Sequence, residues 1–168
     1  VEARHLALEV PVGSDQAERQ AVINNSRLCA DYRARGKTRF VPETHPALLV
    51  GVPVTRTAGK ATAPLQLPIG VMEFLEGYDE LNVGSGALRR WIYHPDRGVS
   101  RFTAFAPTET AELLAEIIAA IVYHYEPDVN GGTTITHVDV NAGDFIYRRR
   151  RDGSSELRLV TIRDQATG

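Results

Sequence analysis

Cysteine occurs once in this chain, at Cys29, and lysine twice, at Lys37 and Lys60. One cysteine cannot form a disulfide within the chain, and it excludes a cysteine-rich zinc site. It fits a reducing compartment. Scarcity of lysine leaves the positive charge almost wholly to arginine. Lysine and arginine total 19 against 21 acidic residues, a net charge of −2. The chain as a whole is therefore not a polycation built for nucleic acid or anionic lipid. No apolar run approaches the roughly 18 residues of a spanning helix. The N-terminus shows no basic region followed by an apolar block, so no secretory signal is expected. These absences lead us to expect a soluble, intracellular, cytoplasmic protein with no membrane partner and no cofactor.

What is present is enough for one domain. The chain has 168 residues, of which 43% are hydrophobic and 24% charged. That length buries a core without staples. The clearest pattern runs from Pro107 to Pro127. Leu113, Leu114, Ile117, Ile118, Ile121, Val122 and Tyr125 recur at helical spacing and form one wide apolar stripe. Thr108 is the expected N-cap. Glu109, Glu112 and Glu116 suit the positive end of the helix dipole, and Pro127 ends the ladder. A second helix is expected with Ser14 as its N-cap and with Ala21, Val22, Leu28, Cys29 and Tyr32 on its apolar side. Gly36 fits its C′ position. Asn24, Asn25 and Ser26 in its middle are expected to face water.

Between Val41 and Gly86 lie prolines at 42, 46, 53, 64 and 68, which no long helix can cross. Strands are expected over 4–12, 47–55 and 69–75, the second at a sheet edge because of Pro53. Leu88 to Phe105 reads as a hairpin turning at His94-Pro95-Asp96-Arg97-Gly98. Pairing His94 with Val99 would put Trp91, Tyr93, Phe102 and Ala104 on one face, expected to bury. Arg90, Arg101 and Thr103 would lie opposite. Further strands are expected over 133–140, 145–151 and 156–162. Strands and helices do not alternate, which predicts an α+β fold. Its sheet would be mainly antiparallel, with two principal helices (about 14–35 and 108–125) packed on one face. The whole of 1–168 is expected to form a single domain.

No complete catalytic motif is present. Gly59-Lys60 lacks both the earlier glycine and the following Ser or Thr of a P-loop. Gly84-Ser85-Gly86 lacks the spacing of a dinucleotide fingerprint or a nucleophile elbow. His137 and Asp139, two apart on an expected strand, would share a face and could act as a general acid/base with its orienting carboxylate. They could also supply two ligands of a facial triad, but no histidine follows His137, and no metal site is expected. His124 is nearest in sequence, at the end of the long helix, where the dipole alone accounts for it. Cys29 reads as a small core residue.

Charge is segregated. Arg148, Arg149, Arg150 and Arg151 occupy a hairpin tip, alternating two per face. Arg33, Arg35, Lys37 and Arg39 form a second basic stretch. Glu73, Glu76, Asp79 and Glu80 form an acidic cluster. Net acidity and the lack of interleaved aromatics count against nucleic acid. The expectation is therefore a non-catalytic assembly or interaction subunit. It would associate with itself or a protein partner through charged sheet edges, acidic cluster to arginine hairpin. The alternative is a small enzyme or ligand-binding protein for a small organic substrate. Its pocket would lie between the sheet and a loop at Thr57–Ala63, using His137, Asp139 and His124 or Tyr147.

Overall fold

The structure is a computed structural model and describes residues 6–11, 15–52, 64–84, 86–94, 99–125, 133–136, 139–140, 143–162 and 164–167. It is α+β with antiparallel pairing throughout. In chain order come β1 (Leu6–Glu9), α1 (Gln16–Ala34), β2 (Thr44–Val52), β3 (Leu65–Glu73), β4 (Asp79–Gly84), β5 (Ala87–His94) and β6 (Val99–Ala104). Then follow α2 (Pro107–Tyr123), β7 (Thr133–Thr136), β8 (Phe145–Arg149), β9 (Ser155–Leu159) and β10 (Asp164–Thr167). Instead of one sheet with both helices on it, the strands among the described residues divide into three groups, ordered β1-β3-β2, β6-β5-β4-β8-β9 and β10-β7. α1 packs on β2 and β3, and α2 on β9 and β7.

Both helices are punctuated near their expected ends. Asp15, not Ser14, caps α1, its Oδ1 accepting from the Ala17 N–H at 3.1 Å. Gly36 takes φ 81°, so that Gly36 N–H reaches the Arg33 carbonyl at 2.9 Å and Lys37 N–H reaches that of Tyr32 at 2.8 Å. Those two bonds make a Schellman stop, which the expected C′ glycine requires. α2 starts one residue before the expected Thr108 cap. Pro107 occupies its first turn, where a missing N–H costs nothing, and Ala106 is the N-cap without a side-chain bond. Lys37 Nζ donates to the Tyr123 carbonyl at 2.5 Å, closing the far end of α2.

The five-stranded sheet has one dry and one wet face. Leu81, Leu88, Phe145, Tyr147, Leu157 and Leu159 are buried on the dry face with Leu113, Ile117 and Ala120 of α2. Phe105 meets Tyr147 edge-on at 5.4 Å. The hairpin registers as expected, His94 with Val99 and Trp91 with Phe102. The burial expected for its Trp91/Phe102 face does not occur. Phe102 is 53% exposed, and Leu88, on the face of Arg90, is the buried residue. Trp91 and Phe102 stack on each other at 6.2 Å instead. The expected turn at 95–98 lies outside the described residues.

Asn25 and Ser26 are likewise not solvated; both are fully enclosed. Asn25 Nδ2 donates to Glu9 Oε2 at 2.8 Å and to the Val160 carbonyl at 3.2 Å. Its Oδ1 accepts from Ile162 N–H at 2.8 Å and from Cys29 Sγ at 3.3 Å. One amide thus ties α1 to β1 and to the segment after β9. Ser26 sits where α1 passes closest to β3; a Cβ on Gly70 would lie 2.8 Å from its Oγ. Cys29 is a core residue, its thiol pushed up to about 12 by burial and, next, by the charge of Glu9.

Candidate functional site

Directly paired residues in antiparallel strands project to the same face. Phe102 pairs with Trp91, Trp91 with Glu80, Glu80 with Ile146 and Ile146 with Arg158. These five residues therefore form one row across the wet face of the five-stranded sheet. Over the middle of this row, at Trp91, Glu80 and Ile146, lies a cleft of about 650 Å³, walled on the other side by Ala7 and by Met72–Leu75 at the end of the three-stranded sheet. Tyr78, Trp91, Ile146 and Val160 complete much of its lining. Such a volume suits a small organic ligand.

Three of the four acidic residues singled out above, Glu73, Asp79 and Glu80, line this cleft, and Glu76 is exposed in the turn beside it. Strand alternation separates their side chains. Asp79 pairs with Tyr147 and belongs to the dry face, where its carboxylate stands 3.7 Å from Arg90. Glu80 projects onto the wet face beside Trp91 and is half-buried, which raises its pKa above the ordinary carboxylate value. Its carboxyl lies against Gly143, where a Cβ would come within 2.8 Å of Glu80 Oε1. With Gly143 at φ 72°, that position needs glycine twice over.

The arginine run alternates as expected, but it turns inward to carboxylates of its own chain. Arg148 Nη2 and Arg150 Nε reach Glu156 Oε2 at 2.7 and 3.1 Å, and Arg158 Nη2 reaches Glu156 Oε1 at 3.0 Å. On the opposite face Arg149 Nη1 meets Glu109 of α2 at 2.6 Å. Arg151 is exposed in the turn. Burial alone would raise the Glu156 pKa. Hydrogen bonds from Arg150, Tyr78 and Arg148 outweigh it and hold the group at about 2. The Tyr78 hydroxyl bonds to Glu156 and Arg158, and the Arg148 guanidinium lies 4.7 Å over its ring. Tyr78 therefore separates the arginine cluster from the cleft. In the second basic stretch, Arg33 bonds the Val41 carbonyl, and Arg39 stands 3.9 Å from Glu116.

The acid/base candidates are placed differently. His124 is fully buried, its Nδ1 2.7 Å from the Ala120 carbonyl and its ring edge-on to Tyr32 at 4.7 Å. Asp139 is exposed, its backbone N–H donating to the buried Asp144 Oδ2 at 2.7 Å. His137 and the Thr57–Ala63 loop lie outside the described residues. Tyr147 is buried on the dry face, 3.4 Å from Glu109. Among the described residues no group of three or more His, Cys, Asp or Glu could hold a metal ion. Also among them, no helix is long and apolar enough to cross a membrane.

Sequence reasoning missed Tyr78, Glu156 and the role of Trp91. The available signal was the alternation of Ile146, Arg148 and Arg150, which marks β8 as half wet. No protein-family model, no curated protein and no solved structure matches the chain, so what the site does has to be argued from its own residues.

Proposed function

We propose that this protein is a non-catalytic assembly subunit that associates with a second copy of itself through α2. The observation that carries the reading is a row of apolar side chains on the outer side of that helix. Leu114, Ile118 and Val122, four residues apart, are 44%, 61% and 64% exposed, and Tyr125 continues the line. Residues so spaced form one continuous stripe, and a stripe of this kind on the surface marks an interaction face. These four side chains belong to the apolar stripe read from the sequence, which is wider than one packing face. The helix buries only Leu113, Ile117 and Ala120.

Charge supports an antiparallel pairing. Glu112 stands exposed in the first half of α2, whereas Lys37 and Arg39 lie beside its second half. Two copies crossing near Ile118 would set the acidic half of one helix beside the basic flank of the other. The arginine hairpin is less suited to this task, since Arg148, Arg149 and Arg150 are neutralised within the chain.

Burying the stripe from both copies is worth on the order of 10 kcal/mol, against an association cost of about 4–15 kcal/mol. At the low end of that cost about 6 kcal/mol remains, so the expected dimer is weak, with a Kd of roughly tens of micromolar. Light scattering behind size exclusion, run across about 5–200 μM, should show mass rising from one to two chains. The doubly substituted I118E/V122E chain should stay monomeric with an unchanged circular dichroism spectrum. A wild-type chain that remains monomeric over that whole range removes this reading.

A further inference from the structure

We propose that the cleft over the wet face binds a small organic ammonium, its charged head between Glu80 and Trp91 and its apolar body against Met72, Phe74 and Leu75. The proposal stands apart from self-association through α2, which uses another surface.

Three features of the cleft select this chemistry. First, no cationic residue lines it: its charged lining residues are Glu73, Asp79 and Glu80. With Asp79 turned toward Arg90, Glu80 is the carboxylate that the strand register sets beside the indole. Second, Glu80 and Trp91 are directly paired, which places their Cβ atoms about 5 Å apart. A cation lodged there meets a carboxylate and the face of the best cation-binding ring at once. Third, the rest of the wall is largely apolar, so a bare inorganic cation would leave most of it unused. An arylalkyl ammonium fills both parts.

The same row of residues fixes the orientation. Arg158 lies two strands from Glu80 and three from Trp91, or about 10 and 14 Å at the usual strand spacing. A cationic head is therefore favoured at the Trp91 side and disfavoured toward Tyr78, behind which the arginines gather. Those guanidiniums are bound to Glu156 and line no part of the cleft.

The chain contains one tryptophan, so emission excited at the red edge, where tyrosine does not absorb, reports on this cleft. Titration with phenethylammonium should change that emission saturably. The neutral 2-phenylethanol should bind about five- to tenfold more weakly, as expected for loss of a partly desolvated cation–π and ion-pair contact. E80Q should erase the preference for the amine and leave the thermal melt in place. E76Q, in the turn outside the lining, should retain it. Equal binding of amine and alcohol, or an unaltered preference in E80Q, overturns the assignment. So does the absence of any saturable change, checked by ligand-observed NMR so that a silent fluorophore is not mistaken for lack of binding. Tighter binding of zwitterionic phenylalanine than of phenethylammonium would overturn it too, because the arginines would then be supplying a carboxylate site.

Discussion

Asn25 shows how much a single polar side chain can organise. Its amide bridges β1, α1 and the residues after β9 with four hydrogen bonds, one of them to the carboxylate of Glu9. Truncation would leave the Ile162 N–H and the Val160 carbonyl to find new partners in a site without solvent. Each such loss costs about 1–3 kcal/mol. N25A should therefore be less stable by about 2–4 kcal/mol and melt lower by roughly 5–15 °C, a difference that calorimetry reads directly. A melt within about 2 °C of wild type would mean that other groups satisfy those bonds. Helix propensity ranks Asn as a poor interior residue, and that ranking is why the position was expected to face water. The ranking was overridden by partners more than a hundred residues away in the chain, which local pattern cannot reveal. Trp91 was misplaced for a related reason. The hairpin register was legible from His94 and Val99, but which face meets the core depends on α2, and both faces carry aromatic or aliphatic side chains.

At the level of elements, legibility followed the source of the stabilising contacts. α1 and α2 were readable because caps, proline and glycine act within a few residues. β5 and β6 were readable because their pairing is local. β4 was not. It buries only Leu81 fully and displays Glu80 and Asn82 on its wet face. Its partner β8 comes long after it in the chain. β10 is short, polar and paired to β7, and it too gave no local signal. The acidic cluster and the arginine run were both noticed as charge, but their partners were not. Glu156 lies in the very hairpin that the arginines enter, and period-two alternation would have joined them. α2 also offers a test of the capping argument. Its N-cap is Ala106, with no side-chain acceptor for the first-turn N–H groups. A106D should stabilise the protein by about 0.5–1.5 kcal/mol through a new cap and its charge at the positive end of the dipole. A chemical-denaturation midpoint that fails to rise would show that those N–H groups are already satisfied.

For the molecule as a whole, charge is concentrated in one internal knot. Glu156 draws three guanidiniums and a phenol together across β8, β9 and the start of β4. Its pKa is about 2 in the folded chain against an ordinary 4.5. A depressed carboxylate binds its proton more readily when unfolded, so it adds stability at neutral pH, and that stability is lost as pH falls from about 4.5 toward 2. Allowing for solvent around the arginines, the contribution is on the order of 2–3 kcal/mol. Denaturant midpoints measured from pH 7 to pH 2 should fall mainly below pH 5. E156Q should flatten that fall while starting from a lower value at pH 7. An unchanged slope would show that other carboxylates dominate acid unfolding.

The strand order carries a consequence for synthesis. β4 lies in the middle of its sheet, yet the strand that covers its second edge, β8, is made about 65 residues later. At roughly 5–20 residues per second, that edge stays open on the ribosome for about 3–13 s. During this interval the β4–β5–β6 meander can already have formed, with a template for any extended chain along its flank. Glu80 and Asn82, displayed along β4, are poor guests for aggregation. The polar side chains that mark β4 as half wet in the finished sheet are thus the ones that guard the nascent chain while it waits for its last strands.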